Sequence, residues 1–246
     1  MAHFQTATNI EEEDRRQLHR ELRALKKERT RTINRIRGLL ASQGIRLGAK
    51  VDLSEKQLGE LRLWDGSGLM PGLSGRITRE WEHMLFLKKQ VAALESQRRS
   101  ALRESKEPDL PKVEQLSRLC GIGDNGAWVL VREFFGWREF RNRREVASLS
   151  GLTPTPFQNG AMHREQGISK AGNRYVRGIA VELAWSWLRY QPDSKLSLWY
   201  QKRFAAGGSR ARKVGIVAMA RRLLIDLWRF LETGAIPEGA KLKTCV

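Results

Sequence analysis

The sequence predicts an all-α protein: a long N-terminal helical hairpin of coiled-coil character, followed by a helical domain organised around a glycine hairpin. Three observations predict it. Apolar residues recur at helical spacing over residues 11–41 and again over 76–104. The triplet Gly121-Ile122-Gly123 lies between two further periodic segments, and the stretch opening at Ser169 stays periodic to Tyr190. With 246 residues, 41% of them hydrophobic, the chain can form one large core or two small ones. The layout expected is a disordered tail over 1–10, the hairpin over 11–104, a linker over 105–112, a C-terminal domain over 113–236 and a loose tail over 237–246.

The first helix opens on Glu11, Glu12, Glu13 and Asp14, acids that the N-terminal end of a helix dipole favours. Leu18, Leu22 and Leu25 begin an apolar seam, Arg29 interrupts it, and Ile33, Ile36 and Leu40 resume it. Arginines and lysines fill the other faces. Residues 42–75 are punctuated by glycines and read as a loop with one short helix around Glu55 to Trp64. Ile77, Trp81, Met84, Leu87, Val91 and Leu94 share a face of the second long helix, which makes an antiparallel hairpin the economical arrangement. Its remaining apolar surface can serve a second copy of the chain or internal packing alone.

Pro108 and Pro111 end the hairpin in a polar linker. Gly121-Ile122-Gly123 then precedes a helix running to Phe135, and Asn142 to Leu149 form a short one. Thr153-Pro154-Thr155-Pro156 must be extended or turned, because a residue before proline avoids the helical region. Ser169 is placed to cap the helix that follows, with Val176, Ile179, Ala180, Leu183, Trp187 and Leu188 on its apolar side and Trp185 read as core. Leu196 to Phe204 give a short helix, Gly207 to Lys213 a flexible basic loop, and Val214 to Leu231 a strongly apolar helix.

Lysines and arginines number 45 against 27 acids, a formal charge of +18. A surplus of that size implies a polyanionic partner, nucleic acid ahead of a membrane. It is concentrated between Ala161 and Arg222, where 13 basic residues face 3 acids. No run of eighteen apolar residues spans a bilayer and no signal-peptide core precedes Glu11, so a cytoplasmic protein is expected. Cys120 and Cys245 lie far apart with no zinc-like spacing and are read as free thiols.

Glycines at 121 and 123 free the backbone to present N–H groups at a helix start, where anions are favoured. The segment resembles the helix-hairpin-helix element, a sequence-independent binder of DNA backbone; as a triplet alone it fits a plain helix C-cap equally well. A wider set of residues is more specific. Ser150-Gly151-Leu152-Thr153-Pro154, Gly167-Ile168-Ser169-Lys170-Ala171-Gly172-Asn173, Arg177 and Ile179 to Trp185 together resemble the C-terminal domain of insertion-sequence transposases related to Piv-like DNA invertases, the bridge-RNA-guided recombinases. The resemblance runs from about residue 10 onward. It implies DNA transposition or site-specific recombination, DNA as partner, a guide RNA as a further one, and dimerisation through the hairpin. Gly121, Ile122, Gly123, His163, Arg164, Lys170, Asn173, Arg174 and Arg177 are the residues it nominates for DNA contact.

Two departures from that family bear on activity. Full-length relatives resemble one another in an N-terminal RuvC-like domain whose carboxylates bind Mg²⁺, and no such strand-rich segment precedes Glu11. The expectation is therefore a truncated form, with no metal held by this chain alone. Where relatives carry a Ser-Gly that resembles the nucleophile, this sequence has Asn159-Gly160, and a carboxamide cannot form a phosphoester link to DNA. Ser169, beside Lys170, is the fallback nucleophile. Three classes stay open: a transposase-family polypeptide, a non-catalytic DNA-binding protein that dimerises and modulates a complete transposase, and a structural RNA-binding protein.

Overall fold

The computed structural model describes residues 10–48, 59–104, 107–159 and 162–243, the ribbon flanking residues 160–161 by its backbone. It divides the chain into two compact units, one of residues 17–104 and one of residues 1–16 together with 105–246. Among the described residues it is helical apart from one two-stranded ribbon. The predicted first helix is interrupted at Arg16. The piece before the break, α1 (Ile10–Arg15), belongs to the second unit.

The hairpin unit consists of α2 (Gln17–Ala41) and α3 (Pro71–Glu104). On α3 the buried residues are Ile77, Trp81, Met84, Leu87 and Val91, three or four apart throughout, so one stripe faces α2. On α2 the seam takes Leu22, Ile36 and Leu40 but also His19 and Thr32, while Leu18, Leu25 and Ile33 are half-buried. A straight helix drifts away from a fixed heptad, which brings neighbours of the expected seam positions inward. At the loop end, Ile45, Leu47, Leu61, Leu69 and Leu73 pack against the cluster of Ile36, Leu40, Ile77, Trp81 and Met84.

Ion pairs tie the two helices along their flanks. Lys26 lies 2.6 Å from Glu95, and Arg35 lies 3.0 Å from Glu80. The hydrogen bond from Lys26 holds the Glu95 carboxyl below its ordinary value. The short helix expected around Glu55 to Trp64 is in part outside the described residues. Gly59 and Glu60 are helical, and the chain then makes a tight turn, closed by an antiparallel bridge between Arg62 and Gly68 and by an Asp65 carboxylate that accepts from the Ser67 amide at 2.9 Å and hydroxyl at 2.6 Å.

In the second unit, α4 (Leu110–Ser117) begins inside the segment expected to be linker. Pro111 occupies its first turn, where a missing N–H does no harm, and Leu110 and Val113 are buried. α5 (Asp124–Leu130) continues through a π turn over Val131–Phe135, and α6 (Arg143–Leu149) follows, capped by the Asn142 side chain. Next comes the antiparallel ribbon of β1 (Pro154–Asn159) and β2 (Met162–Ile168). α7 (Arg174–Tyr190), α8 (Lys195–Tyr200) with a π turn over Gln201–Ala205, and α9 (Ser209–Thr233) complete the unit. Leu116, Leu119, Ile122, Leu130, Phe134, Trp187, Met219 and Leu223 are its largest fully buried side chains.

A buried ionic knot fixes the α1 end of this unit. Arg132, on the π turn, reaches Asp109 at 2.8 Å and Glu107 at 2.6 Å. The Arg16 guanidinium donates to the Arg132 carbonyl at 3.2 Å and lies 4.5 Å over the Trp137 ring.

Four expectations are corrected here. Trp185 is 48% exposed, since it sits two positions from the fully buried Trp187 on the same helix. The basic segment through Arg210, Arg212 and Lys213 is the opening of α9, which starts at Ser209. The tail is docked as far as Lys243: Leu242 bridges Leu119, and Lys243 N–H donates to the Arg118 carbonyl at 2.7 Å. The ribbon replaces a loop in the expectation, because prolines two apart leave extended backbone that can still pair on alternate residues. Cys120 is a free thiol, and Cys245 lies outside the described residues. Among the described residues no helix is long and apolar enough to cross a membrane.

Candidate nucleic-acid interface

The Gly121-Ile122-Gly123 turn joins α4 to α5. Gly121 has φ of 86°, the left-handed region that glycine enters without strain, and Ile122 is fully buried. The turn's carbonyls are taken by the protein. Ser186 donates to Gly121 at 2.7 Å, Lys243 Nζ to Ile122 at 2.9 Å, and Gln191 Nε2 to the preceding Cys120 at 2.9 Å. A Cβ at residue 121 would come within 3.3 Å of the Ser186 carbonyl oxygen, so the turn lies directly against α7. Gly123 is the N-cap of α5, a helix of seven residues.

The second glycine element is formed by two loops that meet. Gly151 has φ of 69°, and a Cβ on it would fall 2.6 Å from the Gly172 nitrogen. A Cβ on Gly172 would fall 2.1 Å from the Leu149 carbonyl oxygen. Neither position admits a side chain. Two backbone bonds continue the junction, Lys170 N–H to the Gly151 carbonyl at 3.1 Å and Ser169 N–H to the Thr153 carbonyl at 2.9 Å. The loop after α6 is thereby fastened to the loop before α7.

That fastening displays the basic residues. Lys170 is exposed and has φ of 56°, the one non-glycine with positive φ among the described residues. Left-handed backbone in a residue with a Cβ is strained by about 1–2 kcal/mol and persists where surrounding structure imposes it. Arg174 is also exposed, stacked 5.0 Å over the Tyr175 ring. Arg177 instead turns back and donates to the Gly172 carbonyl, holding the loop from beneath.

Asn173, and not Ser169, caps α7. Its Oδ1 accepts from the amides of Tyr175 at 2.7 Å and Val176 at 3.4 Å, and its Nδ2 donates to Glu133 at 2.6 Å. Glu133 lies buried on the π turn after α5, next to Arg132. Sequence reasoning missed this acid, although an Arg-Glu pair inside the apolar run from Val129 to Phe135 marks it. The Ser169 hydroxyl is enclosed with no hydrogen-bond partner among the described residues. His163 and Arg164 are on β2, opposite Gln158 and Phe157, and Asn159 ends β1 opposite Met162. The ribbon thus brings Asn159, His163 and Arg164 to its turn-proximal end, while Ser169 lies past its other end. Among the described residues no group of three or more His, Cys, Asp or Glu side chains could hold a metal ion.

Comparison with known proteins covers both units. Residues 113–198, which contain both glycine elements, match the model of the Transposase IS116/IS110/IS902 family. A Sinorhizobium fredii protein named as a transposase, y4rJ, is 41% identical over 243 residues, 95% of this chain and 61% of the relative. A Pseudomonas aeruginosa protein named as a family 20 transposase is 27% identical over 218 residues, 87% of this chain and 62% of the relative. The transposase for insertion sequence element IS1328 of Yersinia enterocolitica is 24% identical over 237 residues, 95% of this chain and 67% of the relative. The chain therefore spans between 61% and 67% of the length of these relatives. Residues 113–198 are thus similar to the IS116/IS110/IS902 family of transposases, and likeness to proteins named as transposases continues along most of the chain.

Proposed function

We propose that this chain acts in DNA transposition as a DNA-holding helical component of an insertion-sequence recombinase, with the loop around Gly151 and Gly172 as its DNA contact. The observation that carries this reading is that the family match over residues 113–198 includes a rigidly fastened loop with Lys170 and Arg174 exposed beside each other. Cations fixed on rigid backbone suit phosphate contacts, which position a protein on duplex DNA without reading its sequence. Gly121-Ile122-Gly123 contributes by bracing α7, and Arg177 and Asn173 by setting the loop's shape. His163 and Arg164 lie on the adjoining strand β2.

At the position resembling the family serine, Asn159 offers a carboxamide, which has no hydroxyl to attack a phosphodiester. In this reading the chain grips DNA and forms no covalent link to it. That favours the form in which it modulates a complete transposase, pairing through the hairpin, where Leu85 is 44% and Phe86 57% exposed on α3. The arginine-rich outer face of α2, including Arg23 and Arg31, is the surface a guide RNA would meet.

The experiment is a salt titration of binding to a labelled duplex. Each phosphate contact contributes a slope of roughly 0.9 in log affinity against log salt. Replacing Lys170 and Arg174 together by alanine is expected to lower the slope by about two; an unchanged slope removes the loop from the interface. Incubation with nicked DNA and Mg²⁺, followed by a denaturing gel, is expected to give no protein–DNA adduct, and an adduct would show that Asn159 is not the functional equivalent of the serine.

A further inference from the structure

A second basic feature lies in the same unit, bordered at Thr153 by the loop after α6. Between α6, the start of α8, the middle of α9 and the segment after it there is a cleft of about 840 Å³. Its rim carries Arg143 and Arg144 from α6 and Arg221 from α9. Among the described residues no carboxylate pairs with any of these three. In the same lining the Arg222 guanidinium lies 3.9 Å over the Trp199 ring, and Ile225 and Leu196 supply apolar wall.

This combination is uncommon for a merely solvated basic face. Solvated arginines spread out, whereas here cations gather around a concave space that also contains an aromatic ring and aliphatic side chains. Phosphate suits the first part of that lining and a planar base the second, since guanidinium planes and aromatic rings both stack bases. Volume points the same way. Pockets for ligands of drug or nucleotide size range over roughly 300–1,000 Å³, whereas a base-paired duplex presents its phosphates outside and cannot place one base in a hole. Two carboxylates also line the cleft: Asp226, 3.9 Å from Arg229, and Glu238, 2.5 Å from Lys195. An acid there can accept from the amino group of a base.

We infer that this cleft takes an unpaired nucleotide of a single-stranded segment, its phosphate on Arg143, Arg144 and Arg221 and its base against the Trp199–Arg222 stack. The assignment rests on the nucleic-acid-binding reading given above and adds a second subsite, for strand rather than duplex. The whole chain then holds duplex on one loop and a strand that has left its duplex in the cleft.

The test compares anisotropy titrations of the full chain with three labelled probes of one sequence: single-stranded DNA, single-stranded RNA and blunt duplex DNA. Arg222→Ala is expected to weaken single-strand binding about ten-fold, the scale of one lost base stack, and duplex binding less than two-fold. Arg143→Ala with Arg144→Ala should weaken single-strand binding and lower its salt slope by roughly 1.4. Both sets of side chains are exposed, so thermal denaturation should match the unchanged chain. A larger loss on RNA assigns the strand to an RNA and a larger loss on DNA to a displaced DNA strand, and either supports the cleft. Equal losses on duplex and single strand, or none on either, overturn it. Failure of the unchanged chain to bind any probe sinks the DNA-holding reading itself, which separates the two outcomes.

Discussion

Two glycine elements in one unit, a contiguous triplet and a junction of two loops, differ in what surrounds them. At Gly121-Ile122-Gly123 the Gly121 and Ile122 carbonyls accept from Ser186 and Lys243, Gln191 donates to the preceding Cys120 carbonyl, and the middle residue is buried. At Gly151 and Gly172 the glycines spend their missing Cβ atoms on each other, and the residues beside them, Lys170 and Arg174, remain exposed. The first turn joins parts of a core. The second shapes a surface. Positive φ at a glycine therefore says that backbone approaches something closely, and the partner decides whether that something is the protein itself or a ligand.

Substitutions at the two turns can break this comparison. Gly172→Ala should be the most damaging, because its Cβ would sit 2.1 Å from a carbonyl oxygen on fixed backbone; a loss of about 3 kcal/mol is expected by urea denaturation. Gly121→Ala must hold left-handed backbone with its Cβ only 3.3 Å from the Ser186 carbonyl oxygen, a closer but less severe approach than at Gly172, so about 1–2 kcal/mol should be lost while duplex affinity of the folded protein is retained. A loss of affinity there would return the Gly-Ile-Gly turn to the interface. Asn173→Ala removes the α7 cap and one partner of buried Glu133, for about 1–2 kcal/mol in the same denaturation experiment. Lys170→Gly sharpens the contrast most: relief of the strained φ should raise stability by about 1 kcal/mol while duplex binding weakens. Stability and affinity rising together would mean that Lys170 does not touch DNA.

How much of this was readable follows from how local each cause is. The stripe Ile77, Trp81, Met84, Leu87 and Val91 was legible because helical spacing alone puts it on one face. That Asn173, and not the expected Ser169, caps α7 was not, since serine is as good a cap in isolation and Asn173 is also held by Glu133, 40 residues away. Docking of the tail depends on Leu242 meeting Leu119, a pairing that leaves no mark in either segment. The ribbon was hidden by its prolines, which read as turn. As for the interface, Lys170, Arg174 and Arg177 were found from the family-like motif, but only coordinates separate the exposed pair from the arginine that faces inward.

The break at Arg16 carries a further consequence, for the order in which the chain can assemble. Because α1 belongs with residues 105–246, the helical hairpin is an insertion within the second unit and not a module ahead of it. Arg16 and the Arg132 carbonyl it donates to are 116 positions apart. On a ribosome, α1 emerges first yet must wait until Trp137 has left the exit tunnel, while the hairpin between them has every partner it needs and can close early. A closed hairpin shortens the loop that separates Arg16 from its destination, so the inserted unit lowers the entropic cost of closing that contact.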